Sequence, residues 1–244
     1  MERLGTLERL RRYPVKSMAG EDLQEARVSY AGLVGDRVYA FVDNENRSSF
    51  PWMTGRQGPP MILFRARFSA APVAEVEHPR AEQYALEVTT PEGEVFRVDE
   101  PRFREYLEKR FGRSLQLRFS ERSMMDAMPV SVLGLGTVRG LGEEVGMKLD
   151  ERRFRANFYV RWANDAPYYE DDLVGRRLRI GEDVEVQVVE KDSRCKMITL
   201  DPETAEASPR VLERVALKHS GCTGVYGAVL REGVVRVKDA VYAV

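Results

Sequence analysis

In the stretch EKDSRCKMITLDPET, Glu190 to Thr204, one of the chain's two cysteines, Cys195, stands between Arg194 and Lys196. Neighbouring cations favour the thiolate, the nucleophilic and metal-ligating form of the side chain. Adjacent side chains on a strand point to opposite faces, so two readings stay open. Cys195 is a reactive or ligating sulfur, or it is a small buried hydrophobe at a strand end. Cys222, in HSGCTGVYG, has only His219 near it in sequence and reads as a core residue.

Four further stretches place cations at turns or strand ends. YPVKSMAG offers Lys16, Ser17 and free backbone N–H groups after a strand-breaking proline. That set suits a phosphate, or it makes an ordinary solvated turn. In GLVGDRVYAFVD, Asp36 can orient Arg37 for bidentate anion recognition, or the two can pair on the surface. TGRQGPP holds Arg56 in a loop stiffened by Pro59 and Pro60. In DERRFRANFYV, strand geometry would put Arg153, Arg155 and Asn157 on one face, an anion and heterocycle cradle if that face is enclosed.

These groups sit in a chain of balanced charge. A formal net charge of -1 over 244 residues gives no global attraction to nucleic acid or membrane, so any anion site must be local. With 43% hydrophobic and 32% charged residues the composition is that of a globular protein with a sizeable core. The N-terminus lacks the apolar segment of a signal peptide, and no run approaches the ~20 apolar residues that span a bilayer. The expected location is the cytoplasm, where a disulfide between Cys195 and Cys222 is not expected. Two histidines, His78 and His219, are too few for a histidine-based metal site. A metal would need sulfur and oxygen ligands, or a cofactor bringing its own.

The elements that must position these residues read as β-rich, then mixed, then β, an α+β order built on barrels rather than a parallel βαβ fold. TLERLRRYPVK, the two arms of EARVSYAGLVGDRVYAFVDNENR, and MILFRARFS read as strands. YALEVTTPEGEVFRVDE reads as a hairpin with Pro91 to Gly93 at its tip. EPRFREYLEKRFG places Phe103, Tyr106, Leu107 and Phe111 on one helical face with Gly112 as the stop. GTVRGLGEEVG is a shorter, glycine-weakened helix, and DVEVQVVE a strand with Val184, Val186 and Val188 on one side. SPRVLERVALKHSG reads as a helix with Ser208 as N-cap, Pro209 at the first helical position and Gly221 beyond its end. GVYGAVLREGVVRVKDAVYAV closes the chain as a hairpin turning at Glu232 and Gly233. No linker separates the halves, and a soft boundary falls near Leu117 to Met124.

In this order the stretches resemble the MOSC superfamily with its N-terminal β-barrel partner, the arrangement of the mitochondrial amidoxime-reducing component and its bacterial relatives. RYPVKSMAG and AGLVGDRVYAFVD resemble the opening motifs, TGRQ the loop that follows, RFRANFYV the Arg-Phe-Arg-x-Asn stretch and SRCKMITLDPET the cysteine motif. GVYGAVLREGVVRVKDAVY resembles the closing strands, where Gly-Asp is more usual than Lys238-Asp239. The likeness covers nearly the whole chain and implies an N-terminal β-barrel-like domain over residues 1–120 and a MOSC domain over 121–244.

The resemblance further implies a molybdenum cofactor, Mo-molybdopterin, with Cys195 as the metal's thiolate ligand beside the two dithiolene sulfurs of the pterin. It implies that Lys16, Ser17, Arg37, Arg56, Arg155, Asn157, Ser193 and Arg194 hold the pterin and its phosphate. SMMDAMPVSVL matches the family's Asp-x-x-Pro stretch and places Asp126 near the metal as a proton donor or orienting group. Ala127 and Met128 stand there where close relatives carry hydroxyl residues. The function implied is an oxidoreductase that reduces N-hydroxylated compounds by two electrons. Two cysteines cannot hold an iron–sulfur cluster and the chain ends at Val244 after the closing strands, so the expected partner is a separate reductase or ferredoxin. The alternatives are sulfur transfer through a Cys195 persulfide and a non-catalytic cofactor carrier.

Overall fold

The computed structural model describes residues 2–69, 81 and 84–244; His78 lies outside the described residues. The first half contains β1 (Glu2–Arg12), β2 (Glu21–Leu23), β3 (Glu25–Ser29), β4 (Gly32–Leu33), β5 (Tyr39–Asp43), β6 (Arg65–Phe68), β7 (Leu86–Thr89) and β8 (Val95–Arg97). Helix α1 (Pro101–Phe111) and β9 (Leu115–Phe119) complete it. The second half contains β10 (Val130–Gly134), α2 (Leu135–Val145), β11 (Phe158–Trp162), β12 (Arg177–Ile180) and β13 (Val184–Ser193). After α3 (Pro209–Lys218) come β14 (Cys222–Arg231), β15 (Gly233–Arg236) and β16 (Ala240–Ala243). The class is α+β, as the order of sequence patterns implies.

Seven strands close a barrel in the order β11, β10, β14, β13, β12, β16, β1, with β1 pairing β11 to shut it and β2 extending beyond β1. Closure leaves these seven strands no open edge. Only β10 and β11 run parallel, and α2 lies in the crossover that a parallel pair requires. Leu7, Leu10, Val132, Phe158, Val160, Ile180, Val186, Val188, Val225 and Val241 fill the interior. Each such burial is worth about 1.5–3 kcal/mol, which sets the register of every strand, because a one-residue slip would turn these side chains outward. The strand that closes this barrel comes from the other end of the chain: six strands derive from residues beyond 129, and the seventh is β1.

The remainder of the first half packs around its own core of Val15, Phe41, Met61, Phe64, Val88, Phe96, Phe103 and Leu107. Its ladders are short: β5 with β9, and β6, β7, β8 in a three-stranded sheet. Helix α1 buries Phe103 and Leu107 there and ends at Gly112, whose φ of 63° is the left-handed turn that stops a helix.

Several local expectations are corrected. The last strands are not a hairpin: β15 pairs with β3, while β16 lies between β1 and β12, pairings in which Val235 and Val241 are fully buried. Met61 to Leu63 belong to a 3-10 turn, Pro59–Leu63, and only Arg65 onward is strand. Ser208 occupies the N-cap of α3 but its side chain makes no capping hydrogen bond. Glu151–Phe154 is a 3-10 turn followed by a left-handed Arg155, so Arg153, Arg155 and Asn157 do not share a strand face. Among the described residues no helix is long and apolar enough to cross a membrane.

Candidate functional site

The loop from Tyr13 to Gly20, between β1 and β2, carries Lys16 and Ser17. It is stitched to the first-half core by Lys16 N–H donating to the Tyr39 carbonyl at 2.8 Å and Ala19 N–H to that of Phe64 at 2.9 Å. The Gly35–Arg37 turn docks on the same loop: Arg37 N–H donates to the Tyr13 carbonyl at 2.7 Å and Tyr13 N–H to Asp36 Oδ1 at 2.7 Å. Arg155 leads into β11 from the far side. Cys195 follows the end of β13, and Arg194 N–H donates to the Gly221 carbonyl at 2.8 Å, holding that end against β14.

Barrel closure by β1 brings these loops together. Lys16, Ser17, Arg37, Arg56, Asp126, Arg155, Ser193, Arg194 and Cys195 line one cavity of about 100 Å³. Ser17, Arg37 and Arg155 have φ of 69°, 52° and 54°. Left-handed backbone at a residue other than glycine costs about 1–3 kcal/mol and gathers at functional sites. The Tyr13 ring lies between two guanidinium groups, 4.9 Å from Arg37 and 4.3 Å from Arg155. Arg56 stacks over Phe50 at 4.2 Å and, among the described residues, forms no ion pair with a carboxylate.

The electrostatics are those of an anion site. Lys16 is 5% exposed, and its ammonium donates to the Met124 carbonyl at 2.7 Å and to Asp126 Oδ1 at 2.5 Å. Burial pushes its pKa down, Asp126 opposes that, and Arg37 and Arg155 add to it. Burial also pushes Arg155 down to about 10, with Arg37 contributing in the same direction. Arg155 Nη1 donates to the Met18 carbonyl at 2.8 Å, but its buried Nη2 has no hydrogen-bond partner. Arg37 is held by Asp36 and by the Arg155 carbonyl at 2.9 Å. Six cationic side chains, Lys16, Arg37, Arg56, Arg153, Arg155 and Arg194, face two acidic ones, Asp126 and Asp192, across the cavity. An anion entering there would relieve mutual repulsion and satisfy an orphaned donor.

Two residues have other duties than the resemblance implies. Asn157 is 1% exposed and does not line the cavity: its Oδ1 accepts from Ser131 N–H at 3.2 Å and its Nδ2 donates to the Arg11 carbonyl at 3.2 Å. It ties the start of β11 to β10 and β1. Arg194 does line the cavity, but its guanidinium is spent on the Thr223 carbonyl at 2.7 Å, the Phe154 carbonyl at 2.8 Å and Asp192 at 2.8 Å. It clamps together the segments that precede Cys195 and Arg155.

Sequence reading missed the floor of the cavity. Asp192, 1% exposed, accepts from Ser131 Oγ at 2.7 Å and from Arg194; its Oδ1 is buried without a partner. Burial raises its pKa against the pull of Arg194, and burial with the nearby Asp192 raises that of Tyr226. The signal available was the i, i+2 spacing of Asp192 and Arg194 on a strand, but their partners Ser131 and Tyr226 come from other strands.

Cys195 is exposed and is a free thiol; Cys222 is half-buried, and burial raises its pKa. His219 stacks on Tyr168 at 3.8 Å and pairs with Glu144 at 2.9 Å, so it serves the α2–α3 surface. Among the described residues no three histidine, cysteine or carboxylate side chains converge to hold a metal by themselves. A metal at Cys195 would have to bring most of its ligands, and an anionic cofactor with its own sulfurs suits both halves of this donor set, soft sulfur on the rim and cations within.

Comparison with known proteins agrees with this geometry. The MOSC domain model matches residues 120–242, and the MOSC N-terminal beta barrel domain model matches residues 4–108. Molybdenum cofactor sulfurases of Caenorhabditis elegans and Caenorhabditis briggsae are 35% and 34% identical over 95 residues, 38% of this chain. The matched segment is 13% of the length of either relative. In fold, the YUAD protein from Bacillus subtilis superposes with a TM-score of 0.50 at 14% identity, covering 97% of this chain and 93% of that one. The chain belongs to the MOSC domain family and carries the family's N-terminal beta barrel domain in front of it.

Proposed function

We propose that this protein binds the molybdenum cofactor and uses it to reduce N-hydroxylated compounds. The observation that carries the reading is the convergence of three left-handed residues, Ser17, Arg37 and Arg155, with Lys16 and an exposed Cys195 on one cavity. Lys16, Ser17, Arg37, Arg56 and Arg155 would hold the phosphate and pterin, and Cys195 would ligate the metal. Ser193 and Arg194 position the segment that ends in Cys195. When bound, the cofactor supplies the two-electron couple that breaks the N–O bond, with two protons taken up and water released. Asp126, exposed and paired with Lys16, would pass protons from solvent. Ala127 and Met128 offer no side-chain hydroxyl beside it, which leaves that side of the site open to a less polar substrate. Electrons would come from a separate donor protein, a reductase or ferredoxin.

The test is molybdenum analysis with pterin fluorescence on wild type and Cys195→Ala, followed by reduction of benzamidoxime and hydroxylaminopurine with a chemical electron donor. Equal molybdenum in both proteins would sink the ligand assignment, and a loaded protein inert toward both substrates would sink the reaction. One observation favours a second reading. An exposed Cys195 in a chain similar over 95 residues to molybdenum cofactor sulfurases suits a persulfide carrier. Mass spectrometry after incubation with a cysteine desulfurase separates the two: sulfur added at Cys195 supports transfer, whereas a metal-ligated cysteine resists it.

A further inference from the structure

A second and larger cavity, about 780 Å³, lies against the first and shares Arg153, Arg155 and Met197 with it as a common wall. Its other sides are the β6–β7 ladder, the end of β1 with the start of β2, and the segment around Leu200 to Glu203. The volume falls in the range of small-molecule sites, about 300–1,000 Å³.

Most charges lining it are already neutralised. Arg11 binds Asp22 through two hydrogen bonds of 2.6 and 2.9 Å, and Glu21 is paired with Arg12 at 2.8 Å. Arg152 holds Asp150 and Glu203, and Arg153 holds Asp201 at 2.6 Å. What remains is Arg65, Arg67 and Arg155, none of which forms an ion pair among the described residues, against Glu87 alone. Glu87 lies directly across the ladder from Arg67, so it offsets that cation first. Arg65 faces Thr89 instead, an uncharged hydroxyl. The core side of this ladder is taken by Ala66, Phe68, Leu86 and Val88, so Arg65, Arg67, Glu87 and Thr89 share the face that lines the cavity. On the common wall, the buried Nη2 of Arg155 and Nε of Arg153 have no acceptor. Ile62, Leu63, Pro91 and Leu200 supply apolar wall between these polar ends.

We infer that this cavity is a binding site for a small phosphate monoester, with Arg65 and Thr89 on the phosphate, Arg67 flanking it, and the organic body against Ile62, Leu63 and Leu200. A phosphate dianion matches an arginine beside a hydroxyl. An uncharged ligand would leave Arg65 unmatched. The phosphate end of this site, Arg65 and Thr89, is not part of the lining of the cavity beside Cys195, although Arg153, Arg155 and Met197 are shared by both.

Isothermal titration of the purified protein with adenosine monophosphate, adenosine and inorganic phosphate tests it, on wild type, Arg65→Glu and Lys16→Ala. Arg65 is on the exposed face of its strand, so the variant is expected to melt with the wild type. Adenosine monophosphate should bind, adenosine should bind at least tenfold more weakly, and Arg65→Glu should lose at least tenfold while Lys16→Ala stays within threefold. No binding by wild type, or an affinity that Arg65→Glu leaves within twofold, overturns the inference. So does a tenfold loss in Lys16→Ala, which would assign the phosphate to the cavity beside Cys195.

Discussion

Replacing Arg155 by methionine separates what this side chain does for the cofactor from what it does for the fold. In the folded protein burial holds the guanidinium pKa near 10, well below that of the free group. At about 1.4 kcal/mol per pH unit, that difference corresponds to roughly 3 kcal/mol of native-state cost for keeping the charge. Methionine has similar length and no charge, so this cost disappears. Against it stand the hydrogen bond to the Met18 carbonyl and the contact with the Tyr13 ring, about 1 kcal/mol each. The balance is a gain of about 1 kcal/mol for Arg155→Met in the cofactor-free protein, measured by urea unfolding.

The sign with pH follows from proton counts. Native Arg155 carries fewer protons than the unfolded chain only from about pH 10 up to the higher pH at which the free group also titrates. Its cost is therefore fully present below that window and fades as pH rises through it. The difference between variant and wild type should be flat from pH 5 to 9. Molybdenum retained on purification should fall at the same time, because the variant removes an anion-binding cation. A variant that is less stable than wild type by more than ~1 kcal/mol, or one that keeps wild-type molybdenum, would refute the reasoning.

The remaining tests concern residues around that cation. Asn157→Ala should lose about 1–3 kcal/mol in urea unfolding, since it orphans the buried Ser131 N–H and Arg11 carbonyl, yet molybdenum per folded molecule should be unchanged. Asp192 has its pKa raised above 3.8 by burial, so the native carboxyl holds protons that the unfolded one has released. Stability from this group falls as pH rises above about 4, and the Asp192→Asn variant should gain on wild type as pH rises from there in paired unfolding curves. Lys238 has a φ of 78°, a left-handed conformation that favours glycine, and its ammonium pairs with Glu8 at the surface. Lys238→Gly should stabilise by about 0.5–1 kcal/mol, since relief of the left-handed strain exceeds the loss of an exposed ion pair; a lower melting temperature would count against that balance.

Alternation and turn chemistry are local properties, and they placed most elements within a few residues. Val184, Val186 and Val188 had to face one way, Pro91 to Gly93 had to turn, and Gly112 had to end a helix. Strand partners are not local. β15 pairs with β3 in a separate three-stranded sheet and β16 pairs with β1 and β12 inside the closed barrel, so each takes a partner distant in sequence over the short loop that would have paired neighbours. The misreading of Arg153, Arg155 and Asn157 has a similar cause: a left-handed arginine breaks the strand, and only glycine or asparagine advertises that conformation in sequence.

The residue types decided the chemistry that is possible here, one exposed thiol and a set of arginines and lysines with no global charge to explain them. Tertiary structure decided which of these act together. Lys16 meets Asp126 across 110 residues because the β5–β9 ladder carries the Asp126 segment to the Lys16 loop, and Arg37 meets the Arg155 carbonyl across 118 because β1 closes a barrel made from the other end of the chain. It also added a floor of Ser131, Asp192 and Tyr226, and withdrew Asn157 into the scaffold. Burial is what makes the difference. It turns cations that would be solvated on a free loop into groups that gain by meeting an anion, and burial is a property of the whole fold.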